Sequence, residues 1–311
     1  EGLVGSEMCI RDRSSIRRTG VSAWITVQRG CDHRCTFCIV PYVRGPEKNR
    51  SPDTILTEVR EAVASGFREV TLLGQTVNSY RHGATDFAHL LRQVARVDGV
   101  RRIRFTSPHP NDVSDQLLDA LAGEPNICPQ LHLPVQSGSN RVLKRMVRRY
   151  TREEFLDIVD RVRSRVPGIA LSTDVIVGFP GETEQDFEQT VELMRRVRFD
   201  DAFLYRYSPR EGTPATRLPA AEFVDQETSG RRLSELITLH REIQREIQER
   251  ELGAISEILV EHSARTEGDM LGRTATNKVV VFPGDESLVG SFSRVRLVST
   301  TGATLIGEPV P

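Results

Sequence analysis

The stretch Arg29-Gly30-Cys31-Asp32-His33-Arg34-Cys35-Thr36-Phe37-Cys38 decides how this chain is read. Three and then two residues separate Cys31, Cys35 and Cys38, so one loop can present three thiolates to one face of a cube. Thiolates are soft ligands that select iron–sulfur clusters, zinc or Cu(I). With three ligands instead of four, one corner of a cluster stays open to another molecule. Structural zinc takes four ligands, usually as two close pairs, so Cys128 or His33 would have to complete a zinc site. A disulfide is disfavoured because neighbouring cysteines on one loop pair poorly. Just before the loop, Val21-Ser22-Ala23-Trp24-Ile25-Thr26-Val27-Gln28 is apolar and β-branched, the texture of a strand. The cysteine loop therefore leaves the C-terminal end of a first strand, where α/β barrels carry their chemistry.

Outward from that loop the chain alternates. Ser51-Pro52-Asp53 opens a helix with proline in its first turn. Strand-like runs follow at 69–73, 101–106, 128–134, 169–177 and 202–207. Helix-like runs lie at 86–97, 114–121, 140–147 with 152–166, and 184–196. With the first strand this makes six βα units, an α/β class with a parallel sheet and outer helices. Six units instead of eight predict a partial (β/α)6 barrel. Its functional residues should lie where strands end: Gly74 and Gln75 with Asn78, the Pro108–Asn111 turn, His132 with Gln136, Ser137 and Gly138, then Asp174 and Gly178-Phe179-Pro180-Gly181-Glu182. Each ending taken alone also fits ordinary turn chemistry; several on one side point to a site. The basic run Arg141, Lys144, Arg145, Arg148, Arg149, Arg152 reads as a solvated helix face or an RNA contact.

After a proline- and glycine-bearing linker at 209–219, residues 222–252 read as one long charged helix. From Gly253 the pattern shifts to about five short strands, the signature of a small OB-like barrel that often binds oligonucleotides. This segment holds five Arg and Lys against seven Asp and Glu. RNA binding there would rest on placed contacts, with Arg273 and Lys278 flanking a Thr-Ala-Thr-Asn turn as the candidates. A purely structural or dimerising barrel is the competing reading.

The 311 residues are 38% hydrophobic and 27% charged, with a net charge of −1. No apolar stretch is long enough to span a bilayer, and no global field recruits nucleic acid. Three clustered cysteines among five fit a reducing compartment. Residues 1–18 carry neither a start methionine nor a signal-peptide plan. They read as an unassigned or artefactual leader, with no role for Cys9. The expected domains are 19–250, including the helical linker, and 251–311.

Several stretches resemble the radical S-adenosylmethionine methylthiotransferases: 30–45, Leu73-Gly74-Gln75-Thr76-Val77-Asn78-Ser79-Tyr80, His132 to Ser139, Asp174 to Glu182, and Gly272 to Val280. The resemblance is closest to the MiaB-type tRNA branch, which adds a methylthio group to isopentenylated adenosine beside the anticodon. Sister branches act on threonylcarbamoyl-adenosine in tRNA or on a ribosomal-protein aspartate. The resemblance implies a radical S-adenosylmethionine barrel followed by a TRAM domain. It also implies a 4Fe-4S cluster on Cys31, Cys35 and Cys38, with S-adenosylmethionine on the open iron. Phe37, Gly74, Gln75, Gln136, Asp174 and Gly178 become cofactor-contact candidates. Members of the family begin with a further domain that holds a second 4Fe-4S cluster, so this chain is expected to be a fragment lacking it. The implied partners are a tRNA anticodon stem-loop and an electron donor such as flavodoxin or ferredoxin, for a cytoplasmic monomer with no membrane contact. Two readings of other classes stand beside this one: an RNA-binding module without catalysis, and a zinc-stabilised scaffold.

Overall fold

The structure, a computed structural model, describes residues 20–310; the expected leader and Cys9 lie outside the described residues. Six parallel strands form the larger unit: β1 (Ser22–Thr26), β2 (Glu69–Leu73), β3 (Arg102–Phe105), β4 (Gln130–His132), β5 (Ala170–Val177) and β6 (Asp201–Arg206). They pair as β1-β2-β3 and β4-β5-β6. A parallel bridge from Ile103 to Ile127, with Cys128 N–H donating to the Ile103 carbonyl at 2.9 Å, joins the two halves. The result is a six-stranded arc. Among the described residues, the outer edges of β1 and β6 have no partner strand.

Side chains alternate along these strands, because successive residues of a strand face opposite sides. Ala23, Ile25, Val70, Leu72, Ile103 and Leu131 are buried in the main core. Their neighbours Trp24, Thr71, Arg104, His132, Asp174, Phe203 and Tyr205 line the inner face. The inside of the arc is thus polar and aromatic. The short α1 (Val40–Arg44) buries no residue, and the aliphatic side is covered by the helices after it: α2 (Pro52–Ala64), α3 (Phe87–Ala95), α4 (Asp115–Gly123), α5 (Asn140–Arg145), α6 (Arg152–Arg165), α7 (Glu184–Val197) and α8 (Gln226–Glu249).

The helix starts follow from local chemistry. Ser51, Asp86, Ser114, Ser139, Thr151, Thr183 and Asp225 each accept a backbone N–H two or three residues into the helix. Thr151 with Glu154 and Thr183 with Asp186 close full capping boxes.

The second unit is a closed barrel of β7 (Ile255–Ser263), β8 (Asp269–Arg273), β9 (Val279–Pro283), β10 (Phe292–Thr300) and β11 (Leu305–Pro309), ordered β7-β8-β9-β11-β10. Its core is Ile258, Val260, Met270, Val280, Phe282, Val295, Leu297 and Leu305. The partial barrel and the small OB-like barrel expected from the sequence are both present.

The two units are riveted together. Arg102 donates to the carbonyls of Arg273 (2.8 Å) and Glu257 (2.6 Å). Arg104 donates to those of Thr274 (2.7 Å) and Ala275 (3.0 Å) and pairs with buried Glu69 at 2.9 Å. Lys278 Nζ lies 3.0 Å from Asp200 and also pairs with Glu251. Within the Thr274–Asn277 turn Thr274 is buried, while Ala275, Thr276 and Asn277 are half-buried and the last two border the cavity inside the arc. The turn floors the arc, held by guanidinium groups from β3.

Candidate active site

The cysteine loop runs from the end of β1 to α1 and is fixed from several sides. Gly30 is in the left-handed region (φ +79°), and a Cβ there would lie 2.1 Å from the Pro46 carbonyl oxygen, so only glycine fits. Its N–H donates to Gln75 Oε1 at 2.7 Å. Gln28, fully buried two residues beyond β1, accepts from Thr76 N–H (3.1 Å) and donates to Ser79 (2.8 Å), tying the β2 exit to the loop's base.

Cys31, Cys35 and Cys38 are free thiols. Burial pushes the Cys31 and Cys38 thiols up, and the neighbouring cysteines add to that rise. The thiolate is the ligand form of cysteine, so binding of a soft cation here would release thiol protons. The hydroxyl of Thr76 lies 3.1 Å from Cys31 Sγ. Arg148 Nη1 donates to Cys35 Sγ at 3.5 Å. The donor set fits a soft-metal cluster held by three thiolates with hydrogen bonds to sulfur.

Cys128 is elsewhere. It is buried between β3 and β4, beside Arg102, Arg104 and Glu69 at the opposite end of the strands. His33 pairs with Asp112 at 3.1 Å and stacks on His109, ring centroids 3.9 Å apart. The ligand atoms of His33, His109 and Asp112 lie within 4.8 Å of one another. The stacked rings run their nitrogens in parallel, not toward a common point. His109 Nδ1 already accepts Asn111 N–H. Burial first, and then the charge of Arg148, push the His109 pKa down to about 2. The trio is a brace behind the loop, and neither Cys128 nor His33 completes a four-ligand zinc site.

The other expected residues divide into groups. Phe37 packs on Val142, Met146, Phe179 and Ala215 under the cysteine loop. Gly74 fits closely against Gln28 and Val77, where a Cβ would meet atoms at 3.0 Å. Gln136 has φ +71° and bridges β5 through Asp174 O and Ile176 N. Gly178 (φ +70°) lies against Ser229, and its N–H donates to Glu182 at 2.6 Å. Burial raises Glu182 to about 7, against the pull of Gly178 N–H and Arg232.

Asp174 stands apart, on the inner face, 3.4 Å from His132 Nε2. It shares a cavity of about 920 Å³ with Trp24, Phe203, Tyr205, Arg273 and Lys278. The structure thus brings Asp174 together with the two residues expected to touch RNA. Lys278 is only 10% exposed at its side chain and already carries two carboxylates. Arg273 pairs with Glu261 at 3.2 Å.

The basic run also differs from its sequence reading. Arg141 pairs with Asp186, Arg145 with Glu222 and Arg152 with Glu192, while Arg148 is buried on Cys35. Most of its charge is therefore engaged within the fold. Thr76, Gln28 and Arg148 were missed as site residues. Thr76 lay within the quoted 73–80 stretch, and Gln28 showed itself only as a polar residue ending an apolar strand.

A signature of the Radical SAM superfamily matches residues 25–194, and one of the TRAM domain matches 249–310. The chain is 50% identical over 285 residues to the tRNA-2-methylthio-N(6)-dimethylallyladenosine synthase of Carboxydothermus hydrogenoformans, covering 90% of this chain and 64% of that protein. It is 46% identical over 305 residues to the same-named protein of Moorella thermoacetica, covering 97% and 68%. The chain thus spans about two thirds of the length of these relatives. Among solved structures, the coproporphyrinogen III oxidase HemN of Escherichia coli superposes with a TM-score of 0.54 at 14% identity, covering 96% of this chain and 74% of that one. The radical S-adenosylmethionine methyltransferase TsrM of Kitasatospora setae gives 0.53 at 17%, over 81% and 42%. At such identities the likeness is one of fold.

Proposed function

Because the chain belongs to the Radical SAM superfamily, and within it to the family of the tRNA-2-methylthio-N(6)-dimethylallyladenosine synthases, we propose that it is the cluster-bearing part of a tRNA methylthiotransferase. Its substrate is the isopentenylated adenosine beside the anticodon. The observation that carries this reading is the three-thiol loop, set at the C-terminal end of β1 and fixed by Gly30, Gln75 and Gln28. The cofactors are a 4Fe-4S cluster and S-adenosylmethionine. When bound, they supply a carbon radical by one-electron cleavage of the sulfonium.

The chain's own residues hold and shield that chemistry. Cys31, Cys35 and Cys38 are the ligands. The Thr76 hydroxyl and the Arg148 guanidinium steady two of the sulfurs. Phe37 packs apolar beneath the loop, Gly74 and Gly178 hold close backbone approaches at the strand ends, Gln136 bridges to β5, and Asp174 is polar on the inner face. Trp24, Phe203 and Tyr205 give the cavity flat apolar surfaces that suit a purine and its prenyl group.

For the RNA we place the contact at the strand C-terminal rim. Arg34 and Arg44 are exposed on and just after the cysteine loop, beside exposed Tyr42. A low-potential flavodoxin or ferredoxin fits as electron donor. Among the described residues no helix is long and apolar enough to cross a membrane.

Anaerobic reconstitution tests the reading. Iron and sulfide near four per chain, with reductive release of 5′-deoxyadenosine from S-adenosylmethionine, are the expected results; the count of four is that of the proposed cluster. Stoichiometric zinc without sulfide would overturn it.

A further inference from the structure

Helix α5 ends abruptly. Val147 follows it at φ +57°, a left-handed conformation that a β-branched residue rarely takes. Arg148 N–H then donates back to the Leu143 carbonyl at 2.9 Å. This turn sends the Arg148 side chain inward. The residue is 7% exposed, although it belongs to a run that reads as a solvated basic face.

Three hydrogen bonds fix the guanidinium. Nε donates to the Tyr150 hydroxyl at 2.9 Å, Nη2 to the Pro134 carbonyl, and Nη1 to Cys35 Sγ at 3.5 Å. Tyr150 is itself anchored, donating toward the Val135 carbonyl at 3.0 Å. Among the described residues, no carboxylate pairs with Arg148. A buried guanidinium that lacks an anion is costly. The group it touches, the Cys35 sulfur, is one of the three proposed cluster ligands.

We propose that Arg148 is a positioning residue for the reaction: a fixed counter-cation and N–H···S donor to the Cys35 ligand that raises the reduction potential of the cluster bound there. This rests on the cluster reading given above. Reduction adds one electron to the cluster, from a low-potential donor, and makes it one unit more negative. A permanent cation with a hydrogen bond to a ligand sulfur stabilises that reduced form more than the oxidised one. Strain at Val147 is consistent with this placement, since strained backbone persists where the surroundings require it.

The test is an EPR-monitored redox titration of the reconstituted chain with titanium(III) citrate, alongside iron and sulfide analysis. Arg148→Met keeps the length and apolar stem but removes the charge and the donors. It should load iron and sulfide like the parent, and its reduction equilibrium should become at least tenfold less favourable, 59 mV for a one-electron couple. Arg148→Lys keeps the charge without the fork and should shift in the same direction by less. If Arg148→Met does not fold or load, Arg148→Lys decides by the same titration. A loaded variant with the parent's potential would overturn the proposal and leave Arg148 as a brace. Failure of the cluster reading looks different, because the parent chain itself would then bind no iron and sulfide.

Discussion

At the scale of single residues, the three loop cysteines and Cys128 make opposite predictions. Replacing Cys31, Cys35 or Cys38 by Ala should abolish iron retention. Cys128→Ala should keep it, because that thiol lies at the other end of the strands beside Arg102 and Arg104. Iron analysis with the visible spectrum decides, and loss of iron from Cys128→Ala would sink the ligand assignment. Asp186 carries a second prediction. Burial alone would raise its pKa, but hydrogen bonds from Arg141, Ser139 (2.6 Å) and Thr183 (2.6 Å) hold it well below the usual carboxylate range. A depressed folded value means the stabilisation is complete above the ordinary Asp pKa. It is lost as pH falls from there toward the lower folded value. Asp186→Asn should therefore cost roughly 2 kcal/mol at pH 7. In denaturant melts, the gap to the parent should narrow between pH 4 and pH 2; a gap that does not change with pH would count against this account.

At the scale of elements, most of the barrel was legible. Residues 69–73 form β2 as expected, and the other strands and helices sit within a few residues of their expected places. Apolar alternation and capping residues are local signals, and they suffice where burial follows period. What sequence did not show was which charged side chains turn inward. Arg148 shares a run with Arg145 and Arg149, and nothing in that run says that one turn at Val147 buries it. Lys278 flanks a polar turn that reads as exposed, and only the packing of the small barrel against β3 puts it beside Asp200. That packing makes a prediction of its own. Arg104→Met would strip four acceptors and leave the Glu69 carboxylate buried without a partner. We expect a loss of about 3–5 kcal/mol and faster proteolysis around 250–254, between α8 and β7. Unchanged cleavage there would show that the two barrels dock by other contacts.

At the scale of the whole molecule, the net charge of −1 leaves the proposed RNA recognition to particular places. Arg34 and Arg44 at the rim are expected to neutralise phosphates. In stem-loop binding measured across salt, each removal to Ala should lower the slope of log affinity against log salt by roughly 0.7–0.9. Lys278→Met should instead lower the melting temperature and leave that slope alone, since its ammonium already serves Asp200 and Glu251. The reverse pattern would move the RNA onto the small barrel. The arc itself bears on how such a ligand arrives. A closed cylinder admits only what can pass through its mouth, and one residue in the middle of a long polymer has no free end to thread. Here the ring stops at β1 and β6, whose outer edges pair with no strand among the described residues. For the RNA substrate proposed above, such a gap would let one nucleotide be laid in sideways while its neighbours stay outside, much as a bead on a string slips into a notch.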